Sequence, residues 1–193
     1  MSENENKCIQ KVTGKFLFYG RAVDTIILTA LISIPLQQSV PVSKTMKRVK
    51  QFLYYCASQE YAIMAFWKSD MTLAGHCYAG YLNKPKSRSI VGGHFFMSNI
   101  SLFPKIYGAM LTIHQIIKAF MSSSAEAKIG ALFINAREDV YMLQMLEAMG
   151  HKQYQTPIQT DNITVEGVIN KTIQQKCTKS MDMRFHCIRD RES

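Results

Sequence analysis

The stretch Thr156 to Thr172, TPIQTDNITVEGVINKT, decides how the rest of the chain is read. Pro157 leads into Ile158-Gln159-Thr160, a short run that suits a strand. Asp161-Asn162 is a turn pair, and either residue can cap a following helix. Val165, Val168 and Ile169 then recur at helical spacing. Asp161 is therefore expected at the exit of a strand, where an α/β sheet usually places its site. Taken alone, Asp161 also reads as a helix cap and nothing more.

Upstream of this stretch, Ser123 opens the clearest helix. Ser123 and Glu126 have capping-box spacing, the apolar stripe runs Ile129, Leu132, Phe133, Ala136, Val140, Leu143 and Leu146, and Gly150 ends it. Earlier still, Leu73 to Tyr81 and Ser89 to Ser98 read as strands. Gly92-Gly93 marks a bulge or a close approach, and the basic turn Asn83-Lys-Pro-Lys-Ser87 lies between the two strands. Tyr61 to Trp67 has the aromatic and branched bias of another strand. Residues 106–119 fit a strand or a helix equally well. Downstream, Lys179 to Arg191 reads as a last helix burying Met181, Phe185 and Ile188. The order of strands and helices gives an α/β class.

The first part of the chain is of a different kind. Residues 1–13 read as a floppy tail. Val23, Ile26, Ile27, Ala30, Leu31 and Ile34 form one helical face, stopped by Pro35. A second helix begins at Ser43 and buries Met46, Val49, Leu53 and Cys56. Its first half is crowded with Lys44, Lys47, Arg48 and Lys50, a face that is either solvated or grips phosphate.

At 193 residues the chain can bury a core, and its 47% hydrophobic content is ordinary for a globular protein. A net charge of +9 and a pI near 9.3 favour a polyanionic partner, nucleic acid before an acidic membrane. The five cysteines are scattered and form no CxxC pair, which speaks against a disulfide framework or zinc knuckle and suits a reducing compartment. Ala22 to Leu36 is too short to span a membrane and is broken by Asp24 and Pro35. The polar start MSENENKCIQK is not a signal peptide. No Walker A loop, G-x-G-x-x-G or G-x-S-x-G is present.

Together these stretches resemble the end of a copia-type retrotransposon polyprotein, where reverse transcriptase runs into its ribonuclease H domain. HCYAGYLNKPKSRSIVGGHFF (76–96) is similar to that family's first hairpin, usually built on Ser-Asp-Ala-Ser-Tyr. SSSAEAKIGALF (122–133) is similar to the start of its first long helix, usually Ala-Glu-Ala-Glu. PIQTDN (157–162) is similar to the strand carrying Thr-Asp-Asn, and KSMDMRFHCIRDR (179–191) to the Lys-His-Ile-Asp-Ile-Arg-Tyr-His helix. Residues 19–70 resemble, more loosely, the helices that link polymerase to nuclease. The resemblance covers most of the chain. It implies a ribonuclease H-like mixed sheet flanked by helices over 71–193, with the last strand and helix missing. A small helical remnant of the polymerase thumb or connection precedes it over 14–70.

Such domains cut the RNA strand of an RNA–DNA hybrid. Carboxylates from separate elements converge to hold two divalent ions, one activating water and the other stabilising the leaving oxygen. Carried over residue by residue, the first aspartate falls on Tyr78, the glutamate on Lys128 and the third carboxylate on Asp161. The fourth lies beyond Ser193. A phenol is neutral near pH 7 and cannot replace a carboxylate at a magnesium site. Lys128 brings positive charge to the place of two dications, where repulsion at close range is worth about 1–4 kcal/mol. Lys128 is expected to pair with Asp161 instead.

The resemblance therefore implies an inactive domain in which Asp161 keeps at most residual metal affinity. No cofactor is expected, whereas the active family uses Mg²⁺. It also implies weak binding of RNA–DNA hybrid or duplex through Lys84, Lys86, Arg88 and the helix at Lys44 to Lys50, with no membrane partner. Two alternatives stay open: a nuclease whose site is completed by other residues or a partner chain, and a marginally folded remnant without function.

Several other residues carry weaker expectations. Glu126 points about 200° away from Lys128 around the helix and reads as a cap. Asp182 reads as a surface salt-bridge partner, and Glu138 and Asp139 as a solvated helix face. His76, Cys77 and His94 lie close enough in sequence and pairing to suggest a transition-metal triad, against which core packing is the simpler reading.

Overall fold

The computed structural model describes residues 3–34, 43–59, 61–101, 103–170 and 188. The chain divides into two compact units, Met1–Ala65 and Phe66–Ser193.

The first unit is helical. Helix α1 (Glu3–Ala22) is followed by a short 3-10 helix (Thr25–Ile27), α2 (Leu28–Ser33) and α3 (Ser43–Ser58). Residues 3–13, expected as a tail, are thus part of a long helix. Ile9, Val12, Phe16 and Tyr19 recur at helical spacing, and burying them outweighs the polarity of the segment. Ile9 is fully buried with Ile27, Leu31, Ile34, Val49 and Phe52, and Phe16 meets Phe52 edge-to-face at 5.1 Å.

The single helix expected over Arg21 to Ile34 is broken. The amides of Val23 and Asp24 both donate to the Tyr19 carbonyl and close α1. The Asp24 carboxylate then accepts from the Ile26 amide and starts the 3-10 turn. Val23 and Ile26, assigned to the buried face, are exposed in consequence. Leu53, also expected to be buried, lies at the surface.

The second unit is built on a four-stranded sheet in the order β3-β2-β1-β4, flanked by helices. Its strands are β1 (Thr72–Lys84), β2 (Arg88–Ser98), β3 (Leu111–Ile116) and β4 (Ile158–Thr160). β1 pairs antiparallel with β2 and parallel with β4, so the sheet is mixed. Helix α4 (Ser124–Ala148) lies between β3 and β4 in the chain, and α5 (Ile163–Ile169) follows β4. The ambiguous stretch 106–119 resolves as a strand over Leu111–Ile116. Tyr61 to Trp67 forms no strand. Tyr61, Ile63, Phe66 and Trp67 stand largely exposed, and among the described residues no neighbouring strand takes up their backbone.

Helix α4 packs on the sheet face that carries Cys77, Ala79 and Val91, and Ile117, Val165, Val168 and Ile169 complete this core. Ile188, the sole described residue of the helix expected over Lys179–Arg191, is buried here as well; the rest of that helix, with Asp182, Met181 and Phe185, lies outside the described residues. A second cluster, Leu73 and Phe95 with Met142 and Leu146, fastens the far end of α4.

The stripe that α4 buries is turned from the one its apolar residues suggest. Asn135 and Asp139 are buried with Ala131, Met142 and Leu146, whereas Phe133, Ala136, Val140 and Leu143 are only half-buried. Asp139, one turn beyond Asn135, is therefore a buried group and not part of a solvated face. Glu138 does stay near the surface, paired with Arg137 at 3.0 Å.

Both ends of α4 are capped as its sequence dictates. The Ser123 hydroxyl accepts from the Glu126 amide. At the other end Gly150, at φ 89°, donates to the Glu147 carbonyl and His151 to that of Leu146, the bond pair of a Schellman cap.

Candidate functional site

The register of β1 and β4 places the site. Cys77 pairs with Thr160, so the next residues along these parallel strands, Tyr78 and Asp161, emerge side by side at the end of β4. Asp161 is not the cap of α5. That role belongs to Asn162, whose side-chain oxygen accepts from the Val165 amide at 3.0 Å. The Asp161 carboxylate is left facing the second turn of α4, where Lys128 meets it.

The Lys128 ammonium makes an ion pair with Asp161 Oδ1, as the sequence led one to expect. The lysine side chain is 13% exposed and the aspartate 49%. The same ammonium lies 5.8 Å from the centre of the Tyr78 ring, within reach of a cation–π contact. Three side chains from β1, α4 and the end of β4 thus converge on one point. One is a carboxylate, one its cationic partner and one an aromatic ring standing 53% exposed.

This trio does not fit a dication. A magnesium ion needs several oxygen ligands, and here the ammonium holds the place beside the single carboxylate. Glu126 supplies no second carboxylate, since its Oε2 accepts from the Ser122 amide at 2.6 Å and from the Ser122 hydroxyl. The reciprocal bond expected back to Ser123 is therefore made one residue earlier. Among the described residues no group of three or more His, Cys, Asp or Glu is placed to hold a metal ion.

The triad of His76, Cys77 and His94 is taken apart by strand alternation. Cys77 points to α4, where it accepts a hydrogen bond from Asn135 at 3.2 Å, and burial pushes its thiol up to about 12. His76 and His94 face each other across β1 and β2 on the opposite side of the sheet, both against Phe96. His94 Nε2 lies 3.1 Å from the Tyr107 carbonyl. His114, across from Gly92, stands on the same face. Burial lowers the pKa of His76 and of His114, helped by neighbouring His94 in the first case and Lys84 in the second.

The basic residues divide between the two units. Lys44, Lys47, Arg48 and Lys50 are exposed along α3. Lys84, Lys86 and Arg88 lie at the β1–β2 turn, with Lys86 exposed at its tip at φ 61°. Arg88 is engaged within the unit: its guanidinium donates to the Lys118 carbonyl and lies 4.1 Å from the centre of the Phe120 ring. Among the described residues no helix is long and apolar enough to cross a membrane.

Sequence reasoning missed one polar residue that the fold depends on. Asn135 is fully buried and donates to the Ala131 carbonyl at 2.9 Å, the Gly92 carbonyl at 3.2 Å and the Cys77 sulfur. The Gly92-Gly93 pair was the available signal. A Cβ at Gly93 would overlap the Asn135 side-chain oxygen, so the close approach marked by the glycines is that of α4 to β2.

No protein-family model, curated protein or solved structure matches the chain.

Proposed function

We propose that Phe66–Ser193 is a ribonuclease H-like domain, of copia-type retrotransposon ancestry, in which an ion pair has replaced the metal site. On this reading the domain does not hydrolyse RNA. The observation that carries the proposal is the meeting of Tyr78, Lys128 and Asp161. Those are the positions where the resemblance puts three metal-binding carboxylates, and they lie far apart in the sequence. A mixed sheet flanked by helices is compatible with such a fold.

The electrostatics follow from the substitutions. In an active site of this class, carboxylates repel one another until metal ions bind between them. Here Lys128 neutralises Asp161 directly, and a dication would have to displace it against like-charge repulsion. What the domain keeps is attraction for the nucleic-acid backbone. Lys84 and Lys86, with Lys44, Lys47, Arg48 and Lys50 in the other unit, can each neutralise a phosphate. Such binding to hybrid or duplex weakens with a salt slope of about 0.9 per phosphate contact. Arg88, held by Lys118 and Phe120, contributes least.

The test is hydrolysis of a labelled RNA–DNA hybrid with magnesium and then manganese, beside an Asp161→Asn control. The expected result is no cleavage by either protein. Cleavage that Asp161→Asn abolishes would overturn the proposal, since other residues would then have to complete the site.

A further inference from the structure

Helix α1 presents a second surface, opposite its buried stripe. At about 100° per residue, Lys7, Lys11, Lys15, Phe18 and Arg21 fall within an arc of about 120°. All are exposed, and Phe18 is 79% exposed. Ile9 and Gly20 lie buried on the other side. Lys7 is partly neutralised by Glu3, at 2.6 Å one turn back. Beyond that first turn the ridge carries no carboxylate.

Lysines at i,i+4 spacing repel each other and oppose the helix they sit on, so this face gains from a bound polyanion. Phe18 stands between Lys15 and Arg21, a ring in water flanked by cations. That combination, cations tracking a backbone with an aromatic side chain offered to a base, is how proteins hold unpaired nucleic acid without reading its sequence. A helix lying on a membrane would need an apolar face to insert. The apolar stripe of α1 is already buried against Leu31, Val49 and Phe52.

We infer that the outer face of α1 binds single-stranded nucleic acid, with Lys11, Lys15 and Arg21 on phosphates and Phe18 stacked on a base. This surface belongs to the first unit and stands or falls independently of the site at Asp161.

The experiment measures the full chain binding a short fluorescein-labelled oligothymidylate by anisotropy over a range of salt. Phe18→Ala weakens binding by at least about fivefold, and Phe18→Tyr, which keeps a stacking ring, restores it. The triple variant Lys11→Ala, Lys15→Ala, Arg21→Ala lowers the salt slope by about 2. Alanine is the best helix former and these sites are exposed, so circular dichroism stays unchanged. Binding by Phe18→Ala equal to that of the unmodified chain would overturn the stacking role. An unchanged salt slope in the triple variant would overturn the phosphate contacts. Phosphatidylserine vesicles binding through Phe18 while the oligothymidylate does not would replace the nucleic-acid reading with a lipid one.

Discussion

Helix α4 meets the sheet through two polar side chains about two turns apart on the same stripe, Lys128 and Asn135. Asn135 is fully buried, bonded to its own helix, to β2 and to β1. Lys128 reaches past the end of the sheet to an aspartate that remains half in water. The first contact fixes where the helix lies, since its fit depends on Gly93 having no side chain. The second uses that placement. The difference teaches that the position of a site and its chemical content are held by separate residues. The charge at Lys128 decides what the site can bind, while Asn135 holds the architecture around it.

The comparison breaks most severely at Gly93. Gly93→Ala forces a methyl group onto the Asn135 oxygen, and urea unfolding is expected to show a loss of about 3 kcal/mol. In an Asn135→Ala background the same methyl finds room, so the two losses combine to less than their sum. Simple additivity would mean that the contact does not set the helix position.

How far each contact was legible follows from its chemistry. Strands β1, β2 and β4 were readable as short strand-forming runs beside turn signals. β3 was not, since residues 106–119 suit a helix as well, and α4 was readable as a capped helix ended by Gly150. The rotation of α4 was not, because Asn135 and Asp139 occupy the buried stripe and a count of apolar residues turns the helix toward Phe133 and Val140. Residues 3–13 were hidden the same way. Their polar residues mask a stripe whose worth appears only once α2 and α3 supply a surface to cover Ile9. Tyr61 to Trp67 misled in the opposite direction, since strand-forming residues make no strand without a neighbour to pair with. The trio of Tyr78, Lys128 and Asp161 lay beyond periodicity altogether. Spacing alone gave Asp161 two meanings, and only its resemblance to a motif linked it to the other two.

A smaller effect separates the contacts from the sheet's other face. Asn135 has no group that titrates near neutral pH, whereas His76 and His114 do, and both are held below the ordinary 6.5. The unfolded chain therefore binds more protons than the folded one below that value. Stability contributed by the neutral rings is present above about pH 6.5 and is lost as the pH falls below it, down through the folded values. His76→Gln with His114→Gln should flatten that decline in denaturant midpoints between pH 7 and pH 5. A decline as steep as in the unmodified chain would put its origin elsewhere.

The smallest effect on stability belongs to Lys128. Its pair with a half-exposed aspartate is expected to contribute less than about 1 kcal/mol, so Lys128→Ala melts close to the unmodified protein. A loss as large as that at Gly93 would erase the distinction drawn between the two contacts.

The most direct test concerns what the site can bind. Manganese titrated calorimetrically into the unmodified chain is expected to give no saturable heat at Asp161. The double variant Tyr78→Asp, Lys128→Glu, which puts carboxylates in place of the phenol and the ammonium beside Asp161, should bind it and lose that binding on Asp161→Asn. Saturable binding by the unmodified chain, abolished by Asp161→Asn, would contradict the claim that an ion pair stands where metal would bind.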